Sequence, residues 1–120
     1  MGKRSSFARH ERDFYPTPWQ AVVPLLAHLP PEATFAEPCA GDGALVRFLE
    51  AEGFRCAWAS DVALAPASGI READALSLTG DELDGASIIV TNPPWARPVL
   101  HPLSERLSSL RPTWLLFDAD

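Results

Sequence analysis

An open, mostly parallel five-stranded α/β sheet is the architecture this sequence predicts, on three observations. Short apolar or β-branched runs recur along the chain and alternate with segments of helical periodicity. The runs end on polar residues that a buried strand does not need: Glu37, Asp61, Asp74 and Asn92. Gly41-Asp42-Gly43 stands between the first run and a helix, where the backbone must turn tightly. Open sheets of this kind bind ligands beyond the carboxyl ends of their strands, at the switch point in strand order. The residues that end the runs are therefore the candidate site.

Composition bounds the remaining possibilities. The chain has 120 residues, which predicts one domain, and 47% hydrophobic residues, enough for a packed core. It has no apolar run of transmembrane length and no signal-peptide pattern. The expectation is a soluble, cytoplasmic protein with no membrane partner. Cys39 and Cys56 stand in no metal-ligand spacing and are expected to be reduced core thiols, with no metal site. His10, His28 and His101 fall in no ligand or triad arrangement, and no nucleophile and base are paired. The net charge of −6, from 10 Lys+Arg against 16 Asp+Glu, argues against a broad nucleic-acid-binding surface. Residues 1–12 are the exception, with Lys3, Arg4, Arg9 and Arg12 against Glu11. They read as a basic flexible tail, either touching phosphates or simply solvated. Residues 13–120 form the folded domain.

In chain order, Thr17 is placed to cap a helix, with Pro18 at its first position and Gln20 completing a capping box. Trp19, Val22, Val23 and Leu26 share one face of that helix, Pro24 should kink or divide it, and Pro30-Pro31 should end it. Thr34 to Cys39 is the first strand. The helix after Gly43 carries Leu45, Phe48 and Leu49 on one face and stops at Gly53. Phe54 to Ser60 is the second strand and Ile70 to Ala75 a short third. Ser87 to Thr91 is the fourth. Pro102 should open a helix with Leu103, Leu107 and Leu110 on one face, closed by Arg111-Pro112. Trp114 to Phe117 is the fifth strand.

The stretch after the fourth strand carries the most chemistry. Pro93 and Pro94 have no N–H and fix φ, so the ladder stops and the tip is stiff. The Asn92 side-chain oxygen and the Pro93 carbonyl are then held beside Trp95. Two aimed acceptors next to an aromatic plate suit a planar ligand that carries an amino group. A proline-rich turn followed by a core Trp is the plainer alternative. Glu37 would repel a pyrophosphate but suits a cationic ligand. Asp61 follows Gly43 by about 18 residues, where an acid at the second strand's end takes a ribose diol. Asp74 could accept from an adenine amino group. The third glycine of the dinucleotide fingerprint and any phosphate-binding P-loop are missing. A positive end, a ribose and an adenine without phosphate describe S-adenosylmethionine.

At this point the chain resembles the class I S-adenosylmethionine-dependent methyltransferases, in particular the DNA adenine-N6 branch of phage and bacterial type. Tyr15-Pro16-Thr17-Pro18 resembles the family's N-terminal cofactor motif, and Glu37-Pro38-Cys39-Ala40-Gly41-Asp42-Gly43 its first strand-loop motif. Asp61 and Asp74 match the ribose-binding and adenine-binding acids, and Asn92-Pro93-Pro94-Trp95 the catalytic tetrapeptide. The resemblance implies a Rossmann-like fold without its last strands and S-adenosylmethionine as cofactor. It implies Tyr15, Thr17, Pro18, Glu37, Pro38, Gly41, Gly43, Asp61 and Asp74 as cofactor-binding residues. It also implies methyl transfer to an exocyclic amine, with adenine N6 in DNA as first target, so nucleic acid is the expected partner. RNA adenine and a protein glutamine amide are alternatives, as is a truncated cofactor-binding remnant without catalysis. Each acid keeps a plainer reading too: Glu37 as a helix-start acid, Asp61 as a turn residue, Asp74 as a surface acid, just as Tyr15 could be a half-buried core tyrosine. The family's hairpin after the fifth strand is not found in the sequence. The fifth strand is therefore expected to be an unprotected edge, open to self-association or a partner chain.

Overall fold

The computed structural model describes residues 18–62, 69–94 and 96–116. The basic segment 1–12, Tyr15, Thr17, Trp95 and Phe117 lie outside the described residues. The elements in order are α1 (Trp19–Leu26), β1 (Thr34–Glu37), α2 (Ala44–Ala51), β2 (Arg55–Asp61) and β3 (Arg71–Glu72), then β4 (Ile88–Thr91), α3 (Arg97–Leu110) and β5 (Thr113–Leu115). Two single-turn 3-10 segments, Ala75–Ser77 and Gly80–Leu83, connect β3 to β4. The strands lie in the order β3-β2-β1-β4-β5, and all the described pairings are parallel. This is an α/β fold compatible with a Rossmann-like architecture. The order reverses between β1 and β4, so the crevice beyond their carboxyl ends is the switch point.

Alternation along the central strands builds a core on each face. Phe35, Ile88 and Val90 pack with Val22 of α1 and with Leu45 and Leu49 of α2. Ala36, Ile89 and Trp58 pack on the other face with Leu103 and Leu107 of α3 and with Leu78 and Leu83. A strand buried on both faces reads as an unbroken apolar run, which is why Ile88, Ile89 and Val90 show no alternation in the sequence. The β1–β2 register shifts between Phe35 and Ala36. Helix α2 ends as expected: Gly53 has φ 98°, its N–H donates to Glu50 O at 3.1 Å, and the Phe54 N–H donates to Leu49 O at 3.0 Å. That pair of bonds is a Schellman closure, and it requires the left-handed backbone that glycine supplies.

Several expectations need correction. Pro18 occupies the cap position of α1, outside the first helical position, and gives no side-chain capping bond. Pro24 does not divide α1, which runs to Leu26 and so ends before Pro30-Pro31. Pro24 and Gln20 are exposed, so water can take the carbonyl that loses its donor. Only Val22 of the expected apolar face is fully buried, while Trp19 and Val23 remain 39% and 46% exposed. Trp19 still meets Phe48 edge-on, with centroids 5.4 Å apart. Helix α3 begins at Arg97, so Pro102 does not open it but sits in its interior. Pro98 occupies the first turn, where a missing N–H costs nothing. Strand β1 stops at Glu37 and does not reach Cys39. Strand β3 is only Arg71–Glu72, because Asp74 already caps the next turn through a bond from the Leu76 N–H.

The β3–β4 connection is fastened to α3 by two guanidinium groups. Arg106 donates from Nε and Nη2 to the Leu78 carbonyl at 3.0 and 2.6 Å. Arg111 donates from Nε to Ala86 O and from Nη2 to Gly80 O. Strand β5 forms one edge of the described sheet, and its residues are half-buried. Among the described residues no helix is long and apolar enough to cross a membrane.

Candidate functional site

The tip of β1 turns into the loop Pro38 to Gly43, and the tips of its two neighbours hold that loop. The Ala40 N–H donates to the Ser60 carbonyl of β2 at 2.8 Å. The Gly41 N–H donates to Asp61 Oδ2 at 2.7 Å, and Asp61 is 3% exposed. Gly41 and Gly43 have φ 57° and 85°, in the left-handed region that lets the loop close this tightly. Asp42 Oδ1 accepts from the Ala44 N–H at 3.0 Å, a local turn bond just before α2. On the β4 side, the Thr91 hydroxyl donates to the Glu37 carboxylate, and both side chains are buried. The Thr91 carbonyl accepts from the Leu116 N–H at 2.9 Å, which fastens the same tip to the chain just beyond β5.

Above these tips lies a small cleft of about 20 Å3. Pro38 and Cys39 line it from the β1 loop, Asp61 and Val62 from β2, Ala75 from the first 3-10 turn, Pro94 from the β4 loop and Leu103 from α3. A second cleft of about 360 Å3 shares Val62 and is otherwise lined by Glu72, Ala73 and Asp74. The second falls within the roughly 300–1,000 Å3 of typical small-molecule sites, while the first has room for little more than one water-sized group. Neither cleft is lined by Lys or Arg among the described residues. Both therefore favour a cationic or neutral ligand over a phosphate.

Of the residues expected in the site, Pro38, Asp61, Pro94 and Asp74 face these two clefts. Asp61 also supports the loop through Gly41, which a reading of it as a ribose ligand alone does not anticipate. Asp74 Oδ1 accepts from the Leu76 N–H at 3.0 Å, so one of its oxygens serves the turn. Glu37 lies buried at the tip of β1, bonded to Thr91. Gly43 lies elsewhere, lining a groove of about 1010 Å3 with Arg47 of α2 and Trp58 and Arg71 of the sheet. There the Arg71 guanidinium stacks over the Trp58 ring at 4.3 Å. A Cβ at Gly43 would meet only the side-chain ends Arg47 Nη1 at 3.1 Å and Ile70 Cδ1 at 3.3 Å, so its φ of 85° is the stronger demand for glycine. Asn92 and Pro94 are half-buried and Pro93 is buried at the end of β4. Pro18 is exposed at the start of α1, while Tyr15, Thr17 and Trp95 lie outside the described residues.

Sequence reasoning passed over Thr91 as part of a buried strand. The available signal was a hydroxyl ending an apolar run directly before Asn92. It also gave Cys39 no place beside a ligand, although Cys39 lines the first cleft. Cys39 and Cys56 are both half-buried. Burial pushes the Cys56 thiol up to about 11, against the lowering effect of its bond to the Trp58 carbonyl. Among the described residues no group of three or more His, Cys, Asp or Glu side chains is arranged to hold a metal ion. No protein-family model matches the chain, and no curated protein and no solved structure is significantly similar to it.

Proposed function

We propose that this chain is an S-adenosylmethionine-dependent N-methyltransferase of the class I type, acting on an exocyclic amine, with adenine N6 in DNA as its first candidate target. One observation carries the reading. Asn92-Pro93-Pro94 leaves β4 at the switch point of a parallel sheet, and Pro94 lines the same cleft as Pro38 and Asp61. Fold compatibility alone would not support a function. The combination of that tip with an acidic cleft that no Lys or Arg lines among the described residues does.

The donor set of the two clefts fits the cofactor. Carboxylates at Asp61 and Asp74 offer acceptors for ribose hydroxyls and an adenine amine, and the cleft walls from Pro38, Val62 and Leu103 are apolar. Glu37 places a carboxyl group directly beneath the loop. The bound cofactor would supply an activated methyl group on a sulfonium. The protein's part is then positioning. Asn92 and Pro93 accept from the target amine and fix its lone pair in direction, and Trp95 stacks on the ring that bears it. The net charge of −6 favours a second reading for the target, a protein glutamine amide, which presents the same planar NH2 without a polyanion.

The test is incubation of the purified chain with radiolabelled S-adenosylmethionine and, separately, DNA, RNA and protein acceptors. Label transferred to adenine supports the first reading and label on glutamine the second. In either case Asn92→Ala should abolish transfer while leaving cofactor affinity unchanged. Transfer to none of the three refutes the catalytic reading.

A further inference from the structure

We infer that Thr91 is a positioning residue, whose hydroxyl fixes the orientation of the Glu37 carboxylate beneath the candidate cofactor cleft. The inference rests on the reading of the strand tips as a cofactor and amine site. Thr91 and Glu37 are 0% and 1% exposed, so the pair is shielded from bulk solvent. A buried carboxylate without hydrogen bonds is costly, and each donor it finds therefore fixes its direction. Thr91 has a single hydroxyl proton, and its oxygen lies within bonding reach of both Glu37 oxygens.

The rest of β4 makes the hydroxyl specific. Ile88, Ile89 and Val90 are apolar and buried, so packing alone calls for valine at the fourth position, not threonine. Valine has the same branched shape without the donor. The backbone of Thr91 is itself held, since its carbonyl accepts from the Leu116 N–H at 2.9 Å. Asn92 follows directly. One residue thus joins the acid of β1 to the strand that carries the amine-holding tip, across a sequence separation of 54.

The experiment compares the parent chain with Thr91→Val and Thr91→Ser in two readouts. Calorimetric titration with S-adenosylmethionine should show affinity reduced about tenfold or more in Thr91→Val and restored to within about threefold in Thr91→Ser, the scale of a hydrogen bond to a charged group. The side-chain carboxyl 13C resonance of Glu37 should move in Thr91→Val and stay near the parent position in Thr91→Ser, with or without cofactor. A purely structural Thr91 would lower unfolding stability in Thr91→Val but leave the affinity of the folded protein unchanged, and that result overturns the inference. An equal loss in Thr91→Ser, or an unmoved Glu37 resonance, overturns it as well. If the parent itself does not bind the cofactor while the Glu37 resonance responds as expected, the cofactor reading fails and the Thr91–Glu37 positioning stands.

Discussion

Replacing Asp61 with alanine should loosen the loop that the site is built on. The Gly41 N–H donates to Asp61 Oδ2 at 2.7 Å, with Asp61 3% exposed and Gly41 buried. A hydrogen bond to a charged acceptor contributes about 1.5–3 kcal/mol, and leaving its buried donor unsatisfied costs about 1–3 kcal/mol. These are two views of one loss and are not added. The neighbouring bond from the Ala40 N–H to Ser60 O, at 2.8 Å, survives and keeps the loop near β2. Asp61→Ala should therefore destabilise the fold by about 2–3 kcal/mol. Asp61→Asn keeps an oxygen in place and should cost about 1 kcal/mol, the difference between a charged and a neutral bond. With a urea m-value of about 1–3 kcal/mol/M, the alanine variant should unfold at a midpoint lower by roughly 0.7–3 M, with m itself unchanged. Equal midpoints for Asp61→Ala and the parent would refute the reasoning. So would an asparagine variant as unstable as the alanine one, because the bond, and not the residue's shape, is the claimed cause.

Pro102→Ala should stabilise the chain, because Pro102 lies exposed inside α3 and denies the helix one N–H donor. Interior proline costs up to about 3 kcal/mol relative to alanine, and thermal unfolding would read the gain. Arg106→Ala removes two bonds to the Leu78 carbonyl and should cost about 1.5–3 kcal/mol in chemical denaturation. The Cys56 thiol, pushed up to about 11 by burial, should resist iodoacetamide near pH 8 in the native chain and react once urea unfolds it. The folded thiol ionises later than the unfolded one. Its contribution is thus present in full below the unfolded value near 9, and stability should fall as pH rises from there towards 11.

What the sequence made legible was local. The turn at Gly53, the alternation of Phe35 and Ala36 between the two cores, and the apolar run Ile88-Ile89-Val90 each follow from a short stretch and its period. The start of α3 was not legible, because Pro98 and Pro102 both satisfy the rule for an opening proline and only packing of the preceding turn decides between them. Strand β3 was overextended because Asp74 can end a strand or cap a turn with the same side chain. The partners of the buried acids were out of reach for another reason. Gly41 and Asp61 are 20 residues apart and Thr91 and Glu37 are 54 apart, and neither pairing has a local pattern. Each joins two strand tips, so each exists only once the sheet order is set.

The central claim is that the two acidic clefts at the tips of β1, β2, β3 and β4 take S-adenosylmethionine. Isothermal titration of the purified chain with that ligand tests it most directly. The account expects one-site binding that weakens in Asp74→Ala, since Asp74 lines the second cleft and is not buried in the core. A folded parent chain that takes up no S-adenosylmethionine, or binds it with an affinity that Asp74→Ala leaves untouched, would contradict it.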